Sequence, residues 1–187
     1  MFNYFGLTRQ ERILVIETVE ILMPSIRPRS FRSLDTLAQR TAGSADFKTY
    51  AATLGEALTR WRNRTEGQGR FRVEVITSDP GRAGPSGVVR IDYAEGPTRD
   101  PASRATVDDD LVLETLAALR AAGLRTTSSG DGLTLVPDTE LSLKGALYLV
   151  RPLAQRGWTV RQALRDAERI VRAVQDRSRP TKPTEAA

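Results

Sequence analysis

Residues 159–176 are the most regular stretch of this chain, and they restrict its fold more than any other feature. Val160, Ala163, Leu164, Ala167, Ile170, Val171 and Val174 recur at spacings of three and four. That period predicts a helix with one apolar face, opened by Thr159 as N-cap. Arg161, Arg165, Arg169 and Arg172 form a second face, partly neutralised by Asp166, Glu168 and Asp176. The arginine stripe of this helix is readable two ways, as a solvated charged face or as a surface for an acidic partner or a phosphate backbone.

A second periodic segment, Phe47, Tyr50, Ala51, Leu54, Leu58 and Trp61, predicts another helix with Ser44 as its N-cap. Gly55 weakens that helix by about 1 kcal/mol relative to Ala. Arg60, Arg62 and Arg64 gather at its end, where positive charge suits the helix dipole and could also meet phosphate. A first helix opens at Thr8 with a capping box to Glu11, and Pro24 ends it. Arg9, Arg12, Glu17 and Glu20 share one side, and Ile13, Leu14, Val15, Ile16, Val19 and Leu22 make an apolar face wide enough to require covering, by this chain's own core or by another protein. Pro28 keeps Arg27 and Arg29 in an extended segment. Residues 29–43 and 95–105 read as connectors.

Between the helices the period changes to two. Phe71, Val73 and Val75 alternate with Arg72, Glu74 and Ile76, and Val89, Ile91 and Tyr93 alternate with Arg90 and Asp92. These segments predict an antiparallel pair joined by the Gly/Pro-rich stretch 78–87, which carries Arg82. A third helix is expected from Thr106 to Ala122, with Asp108, Asp109 and Asp110 in its first turn serving the helix dipole. A hairpin with a strand at 133–136 follows, then an apolar strand at 146–150 containing Tyr148.

Composition narrows the chemistry. The 187 residues include no Cys and no His, which excludes disulfides, thiolate nucleophiles, cysteine zinc sites and the Ser-His-Asp arrangement. Asp138, Glu140 and Lys144 are the nearest approach to a carboxylate-plus-lysine metal nuclease, and the match is poor. Gly84-Pro85-Ser86-Gly87 lacks the lysine and helix start of a phosphate loop. The expectation is a protein that is not an enzyme, with no cofactor and no metal. No apolar run approaches the roughly 20 residues of a membrane span. The N-terminus reads as no secretory leader, so a cytoplasmic location is expected. All but three of the 28 basic residues are Arg, against 23 acidic residues and a net charge of +5. Such a skew reflects either coding bias or contact with nucleic acid.

Two stretches resemble a known group of proteins. Tyr4-Phe5-Gly6-Leu7-Thr8, with Glu11, Val15, Thr18-Val19, Pro24-Ser25 and Arg27-Pro28, resembles a segment of large bacterial adenine-specific DNA methyltransferase and restriction-type proteins of antiviral loci. Leu147-Tyr148-Leu149-Val150-Arg151-Pro152-Leu153, Arg156, Trp158-Thr159, Ala163-Leu164 and Asp166-Ala167-Glu168-Arg169-Ile170 are similar to the end of such proteins. Together they cover about a third of the chain. The resemblance implies a C-terminal accessory region, here a separate subunit. The Asn/Asp-Pro-Pro-aromatic motif and the cofactor glycines of that group are absent, so no catalytic residue carries over. Leu116 to Val136 also looks like the helix–hairpin docking domains of peptide-synthetase assembly lines, or the wing of a winged helix.

These readings converge on a single α+β domain over residues 1–177, with helices packed on a small, mainly antiparallel sheet and a disordered tail over 178–187. Its helical part spans about 8–64 and its sheet-containing part about 70–177. The expected role is an accessory subunit of a bacterial DNA-modification or phage-defence complex. Its partner would be a larger methyltransferase, helicase or nuclease subunit, with DNA a further ligand and no membrane involved. Candidate contacts are Arg27, Arg29, Arg60, Arg62, Arg64, Arg151, Arg156, Arg161 and Arg165. A stand-alone nucleic-acid binder and a docking module of a multi-enzyme assembly are the alternatives.

Overall fold

The computed structural model describes residues 6–23, 41–65, 67–78, 86–95, 103–124, 127–128, 134–135 and 139–178. Arg27, Arg29, Arg82, Pro24, Asp138 and the tail beyond 178 lie outside the described residues.

Four helices pack on a five-stranded mixed sheet, an α+β fold. The chain runs α1 (Arg9–Glu17) into a π-helical turn (Thr18–Leu22), then α2 (Ser44–Arg64), β1 (Arg70–Thr77), β2 (Ser86–Ala94) and β3 (Ser103–Val107). It continues with α3 (Asp109–Ala121), β4 (Thr127–Ser128), β5 (Thr134–Leu135), β6 (Thr139–Leu143), β7 (Ala146–Pro152), a 3-10 turn (Gln155–Gly157) and α4 (Val160–Ser178). The main sheet has the order β3-β1-β2-β7-β6. Among the described residues, its β1–β3 pair is parallel and its other pairs are antiparallel.

The period-two reading of β1 and β2 holds, in a register that sets Val73 opposite Ile91 and Val75 opposite Val89. These four residues and Leu149 of β7 face α2 and α4, whose Tyr50, Leu54, Leu58, Ala163, Ala167 and Ile170 complete the main core. Alternation sends Ile76, Val88 and Val150 to the opposite face, where Val112 and Leu119 of α3 cover them. The sheet is therefore filled on both sides toward the end of β1. At its other end the α3-side face is tiled by charge: Arg72 pairs with Asp92 at 2.7 Å, Arg90 with Asp92 at 3.1 Å and Arg104 with Glu74 at 2.7 Å.

Four expectations change. Residues 103–107 are not connector: they form the edge strand β3, and Thr106 belongs to it rather than to a helix. Ser-Arg-Ala-Thr-Val carries too little apolar alternation to announce a strand, and its parallel partner supplies the order. The third helix begins at Asp109 because Asp108 is extended and its carboxylate accepts from Leu111 N at 3.0 Å. Of the strand foreseen at 133–136, the described residues Thr134–Leu135 pair with β4 in a separate two-stranded sheet, outside the main one. Beside β7 lies β6, joined to it through the Lys144-Gly145 turn, both residues with positive φ. Ser44 is the first residue of α2 rather than its N-cap; Gly43 precedes it, its N–H donating to Asp46 Oδ2 at 2.8 Å.

The helix ends follow local chemistry elsewhere. Thr8 and Glu11 form the capping box. Gln162 N donates to Thr159 Oγ1 at 3.1 Å, so Thr159 caps α4 as its sequence indicates. Leu164 and Val174 of α4, expected on the inward face, are instead 41% and 43% exposed, because only the narrower stripe through Ala163, Ala167 and Ile170 meets the sheet.

Candidate functional site: an arginine-lined groove

Arginines placed at the end of α2 by sequence converge in space with one that sequence did not single out. Arg60 and Arg64 are one turn apart on an exposed face of α2. The chain then turns through Gly67-Gln68-Gly69 into β1 and brings Arg70 alongside them. Together with Asn63, Thr59, Glu56, Ala52, Gly55 and Ser103 of β3, these residues line a groove of about 520 Å³. Its rim holds three guanidinium groups against one carboxylate. Neither Arg60 nor Arg64 has an ion pair among the described residues. Thr59 anchors the wall, its hydroxyl accepting from Phe71 N at 3.0 Å.

The floor is built from small residues. Gly55, which reads in sequence only as a weak point of α2, is buried beneath the groove, and Ala52 extends the same surface. The position at the C-terminal end of a helix is electrostatically favourable for the arginines themselves. An incoming anion would therefore be held by the guanidinium forks rather than by the helix backbone. Forks of this kind match phosphate and carboxylate oxygens in pairs.

Arg62 does not line the groove. It lies over the Tyr93 ring, 5.6 Å from the centroid, and a side chain on Gly67 would collide with it. The same end of the sheet carries the Phe71–Tyr93 ring pair at 5.2 Å, and Tyr93 donates its hydroxyl proton to Gln68 O.

Arg151 is a correction. It is 2% exposed and cannot reach a nucleic acid or partner from the surface. Its Nη1 donates to Asp166 Oδ2 at 2.8 Å and to Gly157 O at 2.9 Å. Asp166 also accepts from the Tyr50 hydroxyl at 2.6 Å and from Gln162 Nε2 at 3.1 Å. The guanidinium lies near both Tyr50 and Trp158, at 5.4 and 5.8 Å from their ring centroids. Sequence treated Asp166 as a surface counter-charge. A sharper signal was present: it lies three residues after Ala163 and four before Ile170, at the margin of the inward stripe. Tyr50, predicted as core, also had to find a hydroxyl partner once buried.

Arg156, Arg161 and Arg165 occupy a different region from the groove. Arg156 is exposed on the 3-10 turn and lines a recess of about 320 Å³ with Leu22, Arg151, Pro152, Ala154, Gly157 and Gln162. Arg161 is half-buried and donates to Thr18 Oγ1 at 3.2 Å. Arg165 is exposed on α4. Thus Arg60 and Arg64 come together with Arg70, while the C-terminal candidates do not join them.

Of the residues considered for metal-assisted cleavage, Asp138 lies outside the described residues, and Glu140 and Lys144 have different surroundings. Glu140 pairs with Arg169 at 3.4 Å, whereas Lys144 sits in the β6–β7 turn beside Leu111, Glu114 and Tyr148 of a separate shallow pocket. Among the described residues, no three acidic side chains are placed to hold a metal ion. No described helix is long and apolar enough to cross a membrane. Compared with protein-family models, curated proteins and solved structures, the chain matches none.

Proposed function

We propose that this chain is a non-enzymatic accessory subunit of a bacterial DNA-modification or phage-defence complex, contributing a grip on the DNA backbone. The observation that carries the reading is the groove in which Arg60, Arg64 and Arg70 converge over a floor of Ala52 and Gly55. Three forks at one place concentrate positive potential, and phosphates recruited there release counterions. Asn63, Thr59 and Ser103 add polar atoms of the sort that fix a backbone without reading sequence. The catalytic subunit would be a larger methyltransferase, helicase or nuclease partner, and the placement in such a complex rests on the resemblance of the two terminal segments.

The test is a titration of labelled duplex at low and at physiological salt. Binding should weaken steeply as salt rises, and Arg60→Glu/Arg64→Glu should abolish the low-salt complex while the circular dichroism spectrum stays unchanged. A wild-type chain that shifts no duplex at low salt would remove the reading. Cleavage or modification of DNA by the isolated chain with magnesium would overturn its non-enzymatic part.

A further inference from the structure

The N-terminal helix is held to the rest of the fold in an unusual way. Neither α1 nor the π-helical turn after it contains a buried residue. Of the apolar face predicted from sequence, Val15, Ile16 and Val19 remain 38–51% exposed, while Ile13, Leu14 and Leu22 are half-buried. Apolar burial, the ordinary adhesive between helices, is therefore only partial here. What fastens the helix is polar. The two oxygens of Glu17 accept from Val160 N at 2.7 Å and Arg161 N at 2.9 Å, the free amides of the first turn of α4. Thr18 adds its hydroxyl as acceptor for the Arg161 guanidinium at 3.2 Å, and donates in turn to Leu14 O at 2.7 Å.

We propose that α1 with its π-helical turn is a releasable arm, closed on the body of the protein by the clasp of Glu17 on the N-terminus of α4. A carboxylate against helix-end amides is a strong contact, reinforced by the helix dipole, yet it is concentrated on one side chain. A nine-residue helix has little stability of its own in water. Opening the clasp therefore separates the arm without disturbing the core that α2, α4 and the sheet share. Two consequences follow from position. Leu22 leaves the wall of the recess that Arg156, Arg151 and Gln162 line. Arg161 loses its Thr18 partner and joins Arg165 on the open surface of α4. The arm thus gates a basic surface separate from the Arg60–Arg64–Arg70 groove, and the inference stands whether or not that groove binds DNA.

Hydrogen exchange on the full chain tests this directly. In Glu17→Ala, amides of residues 9–23 should exchange at least tenfold faster than in the wild type, as should the Val160 and Arg161 amides, while those of β1, β2 and β7 keep their rates. Glu17→Gln, which retains one acceptor oxygen, should fall between the two. Glu20→Gln, on an exposed neighbour in the same turn, should match the wild type. Unchanged exchange in the arm of Glu17→Ala would overturn the proposal, and so would an equal acceleration across arm and sheet, since that makes α1 part of one cooperative unit. The absence of native cysteines permits a second readout. Spin labels on Glu20→Cys and Lys48→Cys should give one narrow distance in the otherwise wild-type chain and a broad distribution with Glu17→Ala. A narrow, unmoved distribution in the variant would also sink it.

Discussion

Arg151 and the groove arginines Arg60, Arg64 and Arg70 are the same residue type in opposite circumstances. Arg151 is enclosed, paired with Asp166 and set against two aromatic rings. Arg60 and Arg64 are exposed over a groove. Burying a charge costs several kcal/mol unless partners replace its water, so Arg151 survives inside only because Asp166, Gly157 O, Tyr50 and Trp158 surround it. Arg60 and Arg64, exposed at the groove, keep their hydration. The contrast teaches that an arginine's role follows from which neighbours the fold delivers, and that structural and binding arginines should separate cleanly by mutation.

The largest expected effect comes from breaking the enclosed pair alone. Asp166→Ala leaves Arg151 buried without its counter-charge and should destabilise the protein by about 3–5 kcal/mol in urea titration. If that variant unfolds at the wild-type midpoint, the pair is not structural and the contrast fails. Leu54→Ala, at a fully buried core position facing the sheet, should cost about 2–5 kcal/mol by the same measurement, giving the scale against which the ionic node is read.

The groove should show the reverse pattern. Arg60→Ala/Arg64→Ala should shift stability by no more than about 1 kcal/mol, because both side chains are exposed and act mainly through the helix dipole. The same variant should lower the slope of log affinity against log salt for a duplex by about 2, one phosphate contact per arginine. A variant that loses stability but keeps the slope would exchange the roles assigned to the two clusters.

Intermediate between the two clusters is the ionic tiling of the sheet. Arg104→Ala removes an ion pair to Glu74 whose arginine is 60% exposed, so its effect should stay below about 1 kcal/mol. The smallest effect concerns Glu11. Hydrogen bonds from the Thr8 hydroxyl and then the Thr8 backbone N–H hold its carboxyl below the usual carboxylate range. A lowered value means that its contribution is present above the ordinary carboxylate pKa and is lost as pH falls through the lowered one. Acidification below that ordinary value should therefore fray the start of α1, seen as faster exchange at its first amides, before the core responds.

Much of the fold was legible because local chemistry specified it. The Thr8–Glu11 box, the Thr159 cap, the stripe of α4 and the alternation of β1 and β2 all depend on residues near one another in sequence. The parallel edge strand β3 and the β6–β7 pairing were not legible, since a five-residue strand takes its order from a partner distant in the chain. The candidate site was half legible: Arg60 and Arg64 stood out as a cluster, but nothing in sequence brings Arg70 and Ser103 to them. Glu17 looked like solvent-facing charge on α1, and only the docking of two helices makes it a partner for the first amides of α4 beside the Thr159 cap.

Periodicity, capping residues and the absence of imidazole and thiol determined from sequence alone that this chain builds amphipathic helices on a sheet and lacks the commonest catalytic side chains. Tertiary structure decided which charges are enclosed and which stay free. Enclosure depends on the approach of segments more than a hundred residues apart, as when Tyr50 meets Asp166 and Glu17 meets Val160. The electrostatic cost or value of a side chain is set by that surrounding dielectric and by its partners, and neither is written in the local pattern of residues.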